Sequence, residues 1–289
     1  PEDRVKDGLY GGYFTQDEMR GIIRYAEDRG IEIIPEIDMP GHSLAVLKSY
    51  PQFSCDGKGG AWGQAFSTPL CLGNDDALAF CKSVLDEVFS LFPSEYVHIG
   101  GDEVDRTAWE HCPACGKRVR DNHLGGVENL QSWFTREMEK YCREHGKKII
   151  GWDEIASDGL SQESMVMWWR SWSPASLKKS FEEGHPVVIT PIEYYYLKDD
   201  QDKNSLAKVY NYEPNSNLSQ PYSGHVAGVQ GNLWSEKAVT MARVGERMFP
   251  RLLAIAESAW TMPESKDFND FSRRLPVHLQ KLEEAGWSY

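Results

Sequence analysis

The stretch YVHIGGDEVD, residues 96–105, sets two carboxylates side by side directly after a short apolar run. Its first part, Tyr96–Gly101, has the composition of a buried strand, and Asp102 and Glu103 follow the two glycines at once. Like charges on adjacent residues at the mouth of a buried strand cost free energy, unless solvent or chemistry needs them there. This strand end is therefore the first candidate for a functional site.

Short apolar runs of this kind alternate with amphipathic helical patterns along the chain. The first helix has clear ends, because Thr15 and Glu18 form a capping box and Gly30 stops the pattern. Further helices are predicted between Leu78 and Pro93, Leu130 and Gly146, and Ser173 and Gly184, and over most of the chain after Trp234. The predicted strands are Ile31–Asp38, Tyr96–Gly101, Lys148–Trp152, Met165–Trp169, Pro186–Ile192 and Val226–Leu233. This alternation predicts an α/β fold with a parallel sheet covered by helices.

The number of strands limits the kind of sheet. Six strand–helix units are visible, whereas a (β/α)8 TIM barrel has eight. Either the sheet is open, or two strands are missing from the chain as given.

Composition excludes several classes of partner. The chain has 289 residues, of which 40% are apolar, so it can bury a sizeable core. Its 31 basic and 44 acidic residues give a net charge of −13, which argues against nucleic acid and anionic membranes as partners. No apolar run approaches the roughly 18 residues of a membrane span. The oligomeric state is left open.

The six cysteines do not form a disulfide scaffold at this chain length. Cys81 and Cys142 lie on the apolar faces of helical patterns and are predicted to be core residues. Cys112 and Cys115 form a C-x-x-C motif, but no second motif of this kind supplies the remaining ligands of a zinc site. A local disulfide or two free thiols is therefore favoured over a structural metal.

Each predicted strand ends in acids or large aromatic residues, and in a βα barrel the active site lies at these ends. A pocket of carboxylates walled by tryptophan and tyrosine suits a sugar, whose C–H faces pack on rings while its hydroxyls donate to acids. The residues at the strand ends are Asp38, Asp102 and Glu103, Trp152 to Glu154, Trp168 and Trp169, Tyr194 to Tyr196, and Gln230, Trp234 and Glu236.

Four motifs in series resemble those of the family-20 glycoside hydrolases, the β-N-acetylhexosaminidases. The similarity runs from about Tyr13 to the C-terminus. The motifs are EIDMPGH (Glu36–His42), HIGGDE (His98–Glu103), GWDE (Gly151–Glu154) and GVQGNLWSE (Gly228–Glu236). The resemblance implies a TIM barrel and a retaining exo-β-N-acetylhexosaminidase that uses no cofactor or metal.

The resemblance also implies the catalytic roles, and explains the adjacent acids. In this family the substrate's own 2-acetamido group is the nucleophile, so no enzyme nucleophile is needed. Glu103 would protonate the leaving oxygen and later deprotonate water. Asp102 would hold the acetamido N–H and stabilise the developing oxazolinium ion, and Tyr196 would hold the acetamido oxygen.

Further residues carry over as substrate-binding positions. Trp152 and Trp169 would wall the acetamido pocket, with Trp169 favoured over Trp168 by spacing. Trp234 would lie under the sugar, Glu236 would accept from its O4 and O6 side, and His42 would support the protonation of the acid. Asp38 and Asp153 are interpreted as scaffold residues, and Trp109, Trp133 and Trp172 as packing residues.

The chain departs from the family pattern in three ways. Its residues 1–289 resemble a single catalytic domain that holds strands three to eight, so strands one and two are expected upstream of Pro1 or on a separate segment. A usual pocket tryptophan is replaced by tyrosine, with Tyr210, Tyr212 and Tyr222 as candidates. Lys198 stands where the family has an aspartate that binds the outer hydroxyls, while Pro191 and Gln201 stay in register.

Lys198 suggests a hypothesis about the substrate. Replacing an acid by a lysine changes the local charge by two units, so Lys198 could bind an anionic group at the O6 edge of the sugar, a sulfate above all. Alternatively, Lys198 pairs with Glu236 or Asp199, and plain N-acetylglucosamine binds.

Two other functions compete with the glycosidase. One is a sugar-binding barrel that has lost catalysis, and the other is a metal-dependent barrel hydrolase that uses Asp38, Asp102, Glu103 and Asp153. The partner in the favoured reading is a carbohydrate, at the end of a glycoconjugate or a chitooligosaccharide. An extracytoplasmic location, whether secreted, periplasmic or lysosome-like, is expected from the family, and relatives often have a disulfide where Cys55 and Cys71 flank a loop.

Overall fold

Parallel strands followed by helices recur in the computed structural model of the chain, which describes residues 5–6, 9–59, 68–156, 159–198, 200–202, 205–214 and 225–289. The chain forms two compact units. The first comprises Pro1–Gly151 with Ser157–Leu160, and the second comprises Trp152–Ala156 with Ser161–Tyr289.

The first unit begins with an antiparallel pair, β1 (Val5–Lys6) and β2 (Leu9–Tyr10), ahead of the first strand that the sequence predicts. Strands β3 (Tyr96–His98) and β4 (Lys148–Trp152) pair in parallel, with Tyr96 opposite Lys148. The helices of this unit are α1 (Gln16–Glu27), α2 (Leu44–Ser49), α3 (Asp75–Leu91), α4 (Thr107–Glu110), α5 (Pro113–Asp121) and α6 (Leu130–Glu144), with 3-10 turns at Pro51–Phe53 and Val127–Asn129.

The predicted strand over Ile31–Asp38 forms only an isolated parallel bridge, between Glu36 and His98. Ile37 N donates to His98 O at 2.9 Å, and His98 N donates to Pro35 O at 2.9 Å, so the segment runs beside β3. Pro35 interrupts the ladder because it has no N–H to donate. The segment is nevertheless positioned like a strand, which brings Asp38 to the end of β3.

The second unit contains three parallel strands, β5 (Met165–Trp168), β6 (Val187–Ile189) and β7 (Val226–Val229). β5 pairs with β6, and β6 pairs with β7 across a register shift at Val187 and Val188. The helices of this unit are α7 (Pro174–Glu182), α8 (Ile192–Tyr195), α9 (Ser205–Asn211), α10 (Met241–Met248), α11 (Arg251–Trp260) and α12 (Phe268–Glu284), and 3-10 turns lie at Asp153–Ile155, Ser235–Lys237 and Pro263–Ser265.

The helix signals in the sequence are confirmed. Thr15 caps α1 by accepting from Glu18 N, and the Glu18 side chain accepts in return from Thr15 N at 2.7 Å. The apolar stripe of α3 buries Cys81, Leu85 and Val88 as predicted. None of the described helices is long and apolar enough to cross a bilayer.

Buried residues include most of those predicted for the core. Cys81, Cys142, Trp109 and Trp133 are buried, whereas Trp172 is exposed. Tyr210 and Tyr212 are buried as well, and Tyr212 stacks on Tyr194 with ring centroids 4.2 Å apart. Tyr222 lies outside the described residues, so its predicted role stays a prediction.

The predicted disulfides are absent from the described residues, which include all six cysteines as free thiols. Cys112 and Cys115 are not joined to each other, so the local disulfide is not formed in this motif. The pairing of Cys55 with Cys71 that the family resemblance implied is wrong. The sulfur of Cys71 instead lies close to the C-x-x-C motif, 3.7 Å from both Cys112 Sγ and Cys115 Sγ.

We expect Leu85→Ala to lower the free energy of unfolding by about 2–5 kcal/mol, because Leu85 is completely buried in the stripe of α3 and its loss leaves a cavity. Urea denaturation followed by circular dichroism measures the change. Ser83→Ala, on the exposed side of the same helix, serves as the control and should stay within about 0.5 kcal/mol. Equal effects of the two changes would contradict this account of the core.

Candidate active site

A glycine turn at the end of β3 presents the two adjacent acids. Gly100 and Gly101 have φ angles of 68° and 97°, in the left-handed region that favours glycine. A Cβ on Gly100 would lie 1.8 Å from Asp38 Oδ1, so only glycine allows Asp38 to approach this closely. Asp38 Oδ1 accepts from Gly101 N at 3.0 Å. The glycine turn and its hydrogen bond to Asp38 together fix the position of the Asp102 backbone.

His42 contacts both acids. Its Nε2 lies 3.3 Å from Asp102 Oδ2 and 3.4 Å from Glu103 Oε2. His42 and Glu103 both have left-handed backbones, with φ angles of 46° and 50°, a conformation that costs free energy in residues other than glycine and clusters at functional sites. A Cβ on Gly41 would lie 2.9 Å from Asp102 O, which shows how closely the turn of His42 packs on the acid pair.

The first unit thus brings together Asp38, His42, Asp102 and Glu103 in one group, which we call the acid cluster. Burial, followed by the charge of Asp102, raises the pKa of Asp38 to about 8. The hydrogen bond with Asp102, reinforced by the surrounding carboxylates, raises the pKa of His42 to about 9 against the effect of burial. At neutral pH the cluster therefore holds a proton on Asp38 and an imidazolium at His42.

The two acids differ in their access to solvent. The side chain of Asp102 is 13% exposed and that of Glu103 is 36% exposed. Within the described residues Asp102 Oδ1 is buried and has no hydrogen-bond partner. A buried carboxylate oxygen without a donor costs free energy, so this atom is suited to accept an N–H from a ligand. Glu103 is suited to exchange protons because it remains accessible.

His98 supports this turn, a role that the sequence analysis did not assign. Its Nδ1 accepts from Gly100 N at 3.1 Å, and burial lowers the pKa of His98 to about 4. The ring is therefore neutral, unlike that of His42. In the sequence, the signal for this supporting role was a histidine two residues before Gly100.

The acid cluster also has the composition of a possible metal site. One ligand atom each from Asp38, His42 and Asp102 lie within 4.8 Å of one another. However, the imidazolium at His42 must lose its proton before it can bind a metal, which disfavours metal binding at neutral pH.

Aromatic side chains converge in the second unit. Trp152 and Trp234 have ring centroids 6.0 Å apart, Tyr196 and Trp234 6.4 Å, and Trp169 and Tyr196 6.1 Å with nearly parallel planes. We call Trp152, Trp169, Tyr196 and Trp234 the aromatic group. All four were predicted as site residues from the sequence. Trp168 is not a member, because its Nε1 donates to Ser173 O at 3.3 Å.

Buried charges orient the aromatic group. Asp153 Oδ1 accepts from Trp169 N at 3.2 Å, and Asp153 Oδ2 pairs with Arg170 Nη2 at 2.8 Å and accepts from Ser176 Oγ at 2.6 Å. Glu154 Oε2 accepts from Trp169 Nε1 at 3.1 Å. Burial, and then the charge of Asp153, raises the pKa of Glu154 to about 7.

These contacts support the interpretation of Asp153 as a scaffold residue, and add two residues that the sequence analysis missed. Glu154 belongs to the quoted GWDE motif but had no assigned role, and Arg170 gave no signal beyond following Trp169. Trp172, interpreted as a packing residue, meets Trp169 edge to face at 5.1 Å.

Lys198 and Glu236 are both exposed side chains of the second unit. Lys198 lines a cavity of about 430 Å³ with Tyr196, Lys208 and Arg251. Both Lys198 and Glu236 belong to the described part of the chain, and no ion pair joins them. Asp199, the other suggested partner of Lys198, lies outside the described residues.

Comparison with known proteins gives three kinds of match. Residues 2–263 match the family model for the catalytic domain of glycosyl hydrolase family 20. The β-hexosaminidase of Porphyromonas gingivalis is 39% identical over 297 residues, which cover 97% of this chain and 38% of that protein. The β-hexosaminidase of Vibrio furnissii is 32% identical over 281 residues, which cover 89% of this chain and 45% of that protein.

Among solved structures, the exo-β-N-acetylglucosaminidase of Vibrio harveyi in complex with N-acetylglucosamine matches with a TM-score of 0.86 at 33% identity, over 97% of this chain and 47% of that chain. The β-N-acetylhexosaminidase of Bacteroides fragilis matches with a TM-score of 0.82 at 32% identity, over 96% and 58%. The chain thus spans about half the length of these relatives, or less. The matches confirm the predicted fold class, the TIM-barrel catalytic domain, of which this chain covers a part.

We expect His42 to titrate near pH 9, because Asp102 stabilises its charged form. The stabilisation of the fold by this contact is complete below pH 6.5 and is lost as the pH rises through about 9. Histidine NMR signals measure the midpoint, with His42→Gln used to assign the signal. In Asp102→Asn the midpoint should fall towards 6.5, and a midpoint that ignores this change would contradict the assignment.

Proposed function

The chain belongs to the catalytic domains of glycosyl hydrolase family 20, and from this premise we propose that it is a retaining exo-β-N-acetylhexosaminidase. It removes terminal β-linked N-acetylhexosamine from a glycoconjugate or a chitooligosaccharide. The nucleophile is the acetamido oxygen of the substrate. The observation that carries the proposal is the pair of adjacent acids, Asp102 and Glu103, held by one charged histidine at 3.3 and 3.4 Å.

The acids divide the chemistry between them. In the first step the acetamido oxygen attacks the anomeric carbon, the glycosidic bond breaks, and Glu103 gives its proton to the leaving oxygen. In the second step Glu103 takes a proton from water, and the water oxygen attacks the anomeric carbon and opens the oxazolinium ring. The configuration at the anomeric carbon is inverted twice and therefore retained.

Asp102 provides electrostatic stabilisation. Its Oδ1, buried and without a partner among the described residues, accepts the acetamido N–H. The N–H becomes more acidic as positive charge develops on the oxazolinium ring, so this hydrogen bond is stronger in the transition state than in the ground state.

The aromatic group binds the sugar. Tyr196 donates its hydroxyl to the acetamido oxygen and so aims that oxygen for attack. Trp152 and Trp169 surround the acetamido methyl, and the half-exposed Trp234 packs on an apolar face of the ring. Glu236 accepts from the hydroxyls on the O4 and O6 side, where its exposed carboxylate meets little cost of desolvation.

We expect Glu103→Gln to lower kcat by about 10²- to 10⁴-fold, because the amide cannot transfer a proton. Steady-state kinetics on an aryl β-N-acetylglucosaminide measures the loss. Glu110→Gln, an exposed acid of α4 in the same unit, is the matched control and should keep full activity. Undiminished turnover in Glu103→Gln would reject the proposed mechanism.

A substrate series distinguishes the three candidate functions. Fluorine on the acetamido methyl makes the carbonyl oxygen a poorer nucleophile, so the rate should fall with each added fluorine. A metal-dependent hydrolase, in which a bound hydroxide attacks, would show no such trend. A barrel that only binds sugar would hydrolyse none of the substrates, although equilibrium dialysis would still detect binding.

Lys198 refines the proposal towards an anionic substrate. Its ammonium group is exposed, lines the cavity of Tyr196, and has no ion-pair partner recorded within the described residues. Lys208 and Arg251 add positive charge to the same cavity, and Glu193 and Asp200 add negative charge. A sulfate at O6 of N-acetylglucosamine would pair with the exposed ammonium group of Lys198, so we propose that the 6-sulfated sugar is preferred.

We expect kcat/KM to be higher for a 6-sulfated N-acetylglucosaminide than for the plain sugar. Lys198→Ala should remove about 10-fold or more from the sulfated substrate, since a hydrogen bond to a charged group contributes about 1.5–3 kcal/mol. The plain sugar should change less than about threefold. Lys208→Ala, from the same cavity, tests which cation matters, and a preference for the plain sugar in the unaltered chain would reject the idea.

A further inference from the structure

Four of the six cysteines lie close together in the first unit, although Cys55, Cys71 and the C-x-x-C motif are far apart in sequence. Cys55 Sγ lies 3.8 Å from Cys115 Sγ, and Cys71 Sγ lies 3.7 Å from the sulfurs of both Cys112 and Cys115. All four sulfurs lie within 4.8 Å of one another, and three of the four residues are buried. Nothing in the glycosidase mechanism uses this group, which we call the thiol cluster.

The distances between the sulfurs fit a metal and exclude disulfides. A disulfide requires about 2.05 Å between its sulfurs. In a tetrahedral zinc site with Zn–S distances of about 2.3 Å, the sulfurs are about 3.8 Å apart. The three observed S–S separations of 3.7, 3.7 and 3.8 Å match the edges of such a tetrahedron.

We propose that Cys55, Cys71, Cys112 and Cys115 bind one zinc ion as thiolates, in a structural site with four protein ligands. Four thiolates are the ligand set that selects zinc over magnesium or calcium. Because all four positions are taken by protein, the metal would have no open position for substrate and no part in the hydrolysis.

The backbone holds each ligand before a metal binds. Cys112 caps the N-terminus of α5 and Cys115 lies in its first turn, where Gly116 N donates to Cys112 O at 2.9 Å. Cys71 N donates to Phe53 O at 2.8 Å, at the end of the 3-10 turn that precedes Cys55. Such preorganisation favours a site that forms as the chain folds.

Gly73 brings the two halves of the thiol cluster together. A Cβ on Gly73 would lie 2.2 Å from Ala114 C and 2.3 Å from Cys115 N, so any other residue would push the loop of Cys71 away from the C-x-x-C turn. The close approach of these two backbones holds Cys71 beside the C-x-x-C motif.

The zinc would stabilise the loops around the acid cluster. Leu70 N, next to Cys71, donates to Pro40 O at 3.0 Å, two residues before His42. Trp109, which lies between the acid pair and Cys112 in the sequence, donates from its Nε1 to Leu70 O at 3.0 Å. The metal therefore crosslinks the segment that follows His42 to the segment that follows Glu103, and its effect on catalysis is one of support.

The test begins with the metal content of the unaltered chain. After purification with added zinc and gel filtration, elemental analysis should find one zinc per chain. Replacement by Co²⁺ should give the intense visible bands of tetrahedral cobalt together with thiolate-to-cobalt charge transfer, which carboxylate and histidine ligands do not produce. This spectrum separates the thiol cluster from the acid cluster as the place of binding.

Variants assign the ligands. Cys112→Ser and Cys71→Ser should retain less than a tenth of the zinc and should lower Tm. Cys81→Ala and Cys142→Ala are matched controls, because these cysteines are buried but lie outside the thiol cluster. They should keep one zinc per chain.

A measurement on the unaltered chain covers the case in which the serine variants fail to fold. Stepwise addition of a mercurial reagent should release the zinc as four thiols react, and six thiols should be counted under denaturing conditions without reductant. A chain that takes up no zinc, a count of two thiols, or a cobalt spectrum without thiolate charge transfer would overturn the proposal.

Discussion

The contact of one histidine with two adjacent carboxylates is the constraint on which the rest of the first unit depends. Asp102 and Glu103 follow each other in sequence, and neighbouring carboxylate charges in a partly buried site repel each other. The imidazolium at His42 offsets this repulsion from 3.3 and 3.4 Å. The raised pKa of Asp38 also reduces the repulsion, because a third carboxylate charge here would lie beside Asp102 in a largely buried environment. Burial therefore distinguishes the two acids, because one oxygen of Asp102 is buried while Glu103 stays accessible.

The backbone gives up favourable conformations to make that contact. Gly100 and Gly101 take left-handed angles at no steric cost, but His42 and Glu103 take them as well, and such residues persist only where their surroundings hold them. The close packing of Gly41 on Asp102 O and of Gly100 on Asp38 supplies that hold. Backbone strain and close backbone contacts occur together here, because both result from directing the side chains of His42, Asp102 and Glu103 at one small volume.

The sequence predicted which residues come together better than it predicted the connections that support them. The acids and the four members of the aromatic group could be named because they follow predicted strands at the end where a βα barrel gathers side chains, and His42 because its motif resembles that of the family. The segment Ile31–Asp38 was predicted as a full strand, but Pro35 reduces its pairing to one bridge. The support from Arg170 and the meeting of Cys55 and Cys71 with the C-x-x-C motif could not be predicted, since each depends on contacts between loops whose paths no local pattern determines. A zinc site was disfavoured for lack of a second C-x-x-C, and the structure supplies the other two thiols from Cys55 and Cys71.

A shared principle links three places in the described residues where negative charge is concentrated. The acid cluster is balanced by an imidazolium and the buried pair Asp153 and Glu154 by the guanidinium of Arg170, and in our proposal zinc balances the four thiolates. The three cations differ in how easily their positive charge can be removed from the site. The guanidinium stays charged at all relevant pH values and so suits a permanent scaffold under Trp169. Zinc exchanges slowly from four thiolates and suits a crosslink between loops. Only the imidazolium can lose its charge by giving up a proton, and it contacts Glu103, the residue that transfers protons in the proposed mechanism. The choice of cation thus follows from whether each site has to stay fixed or has to titrate.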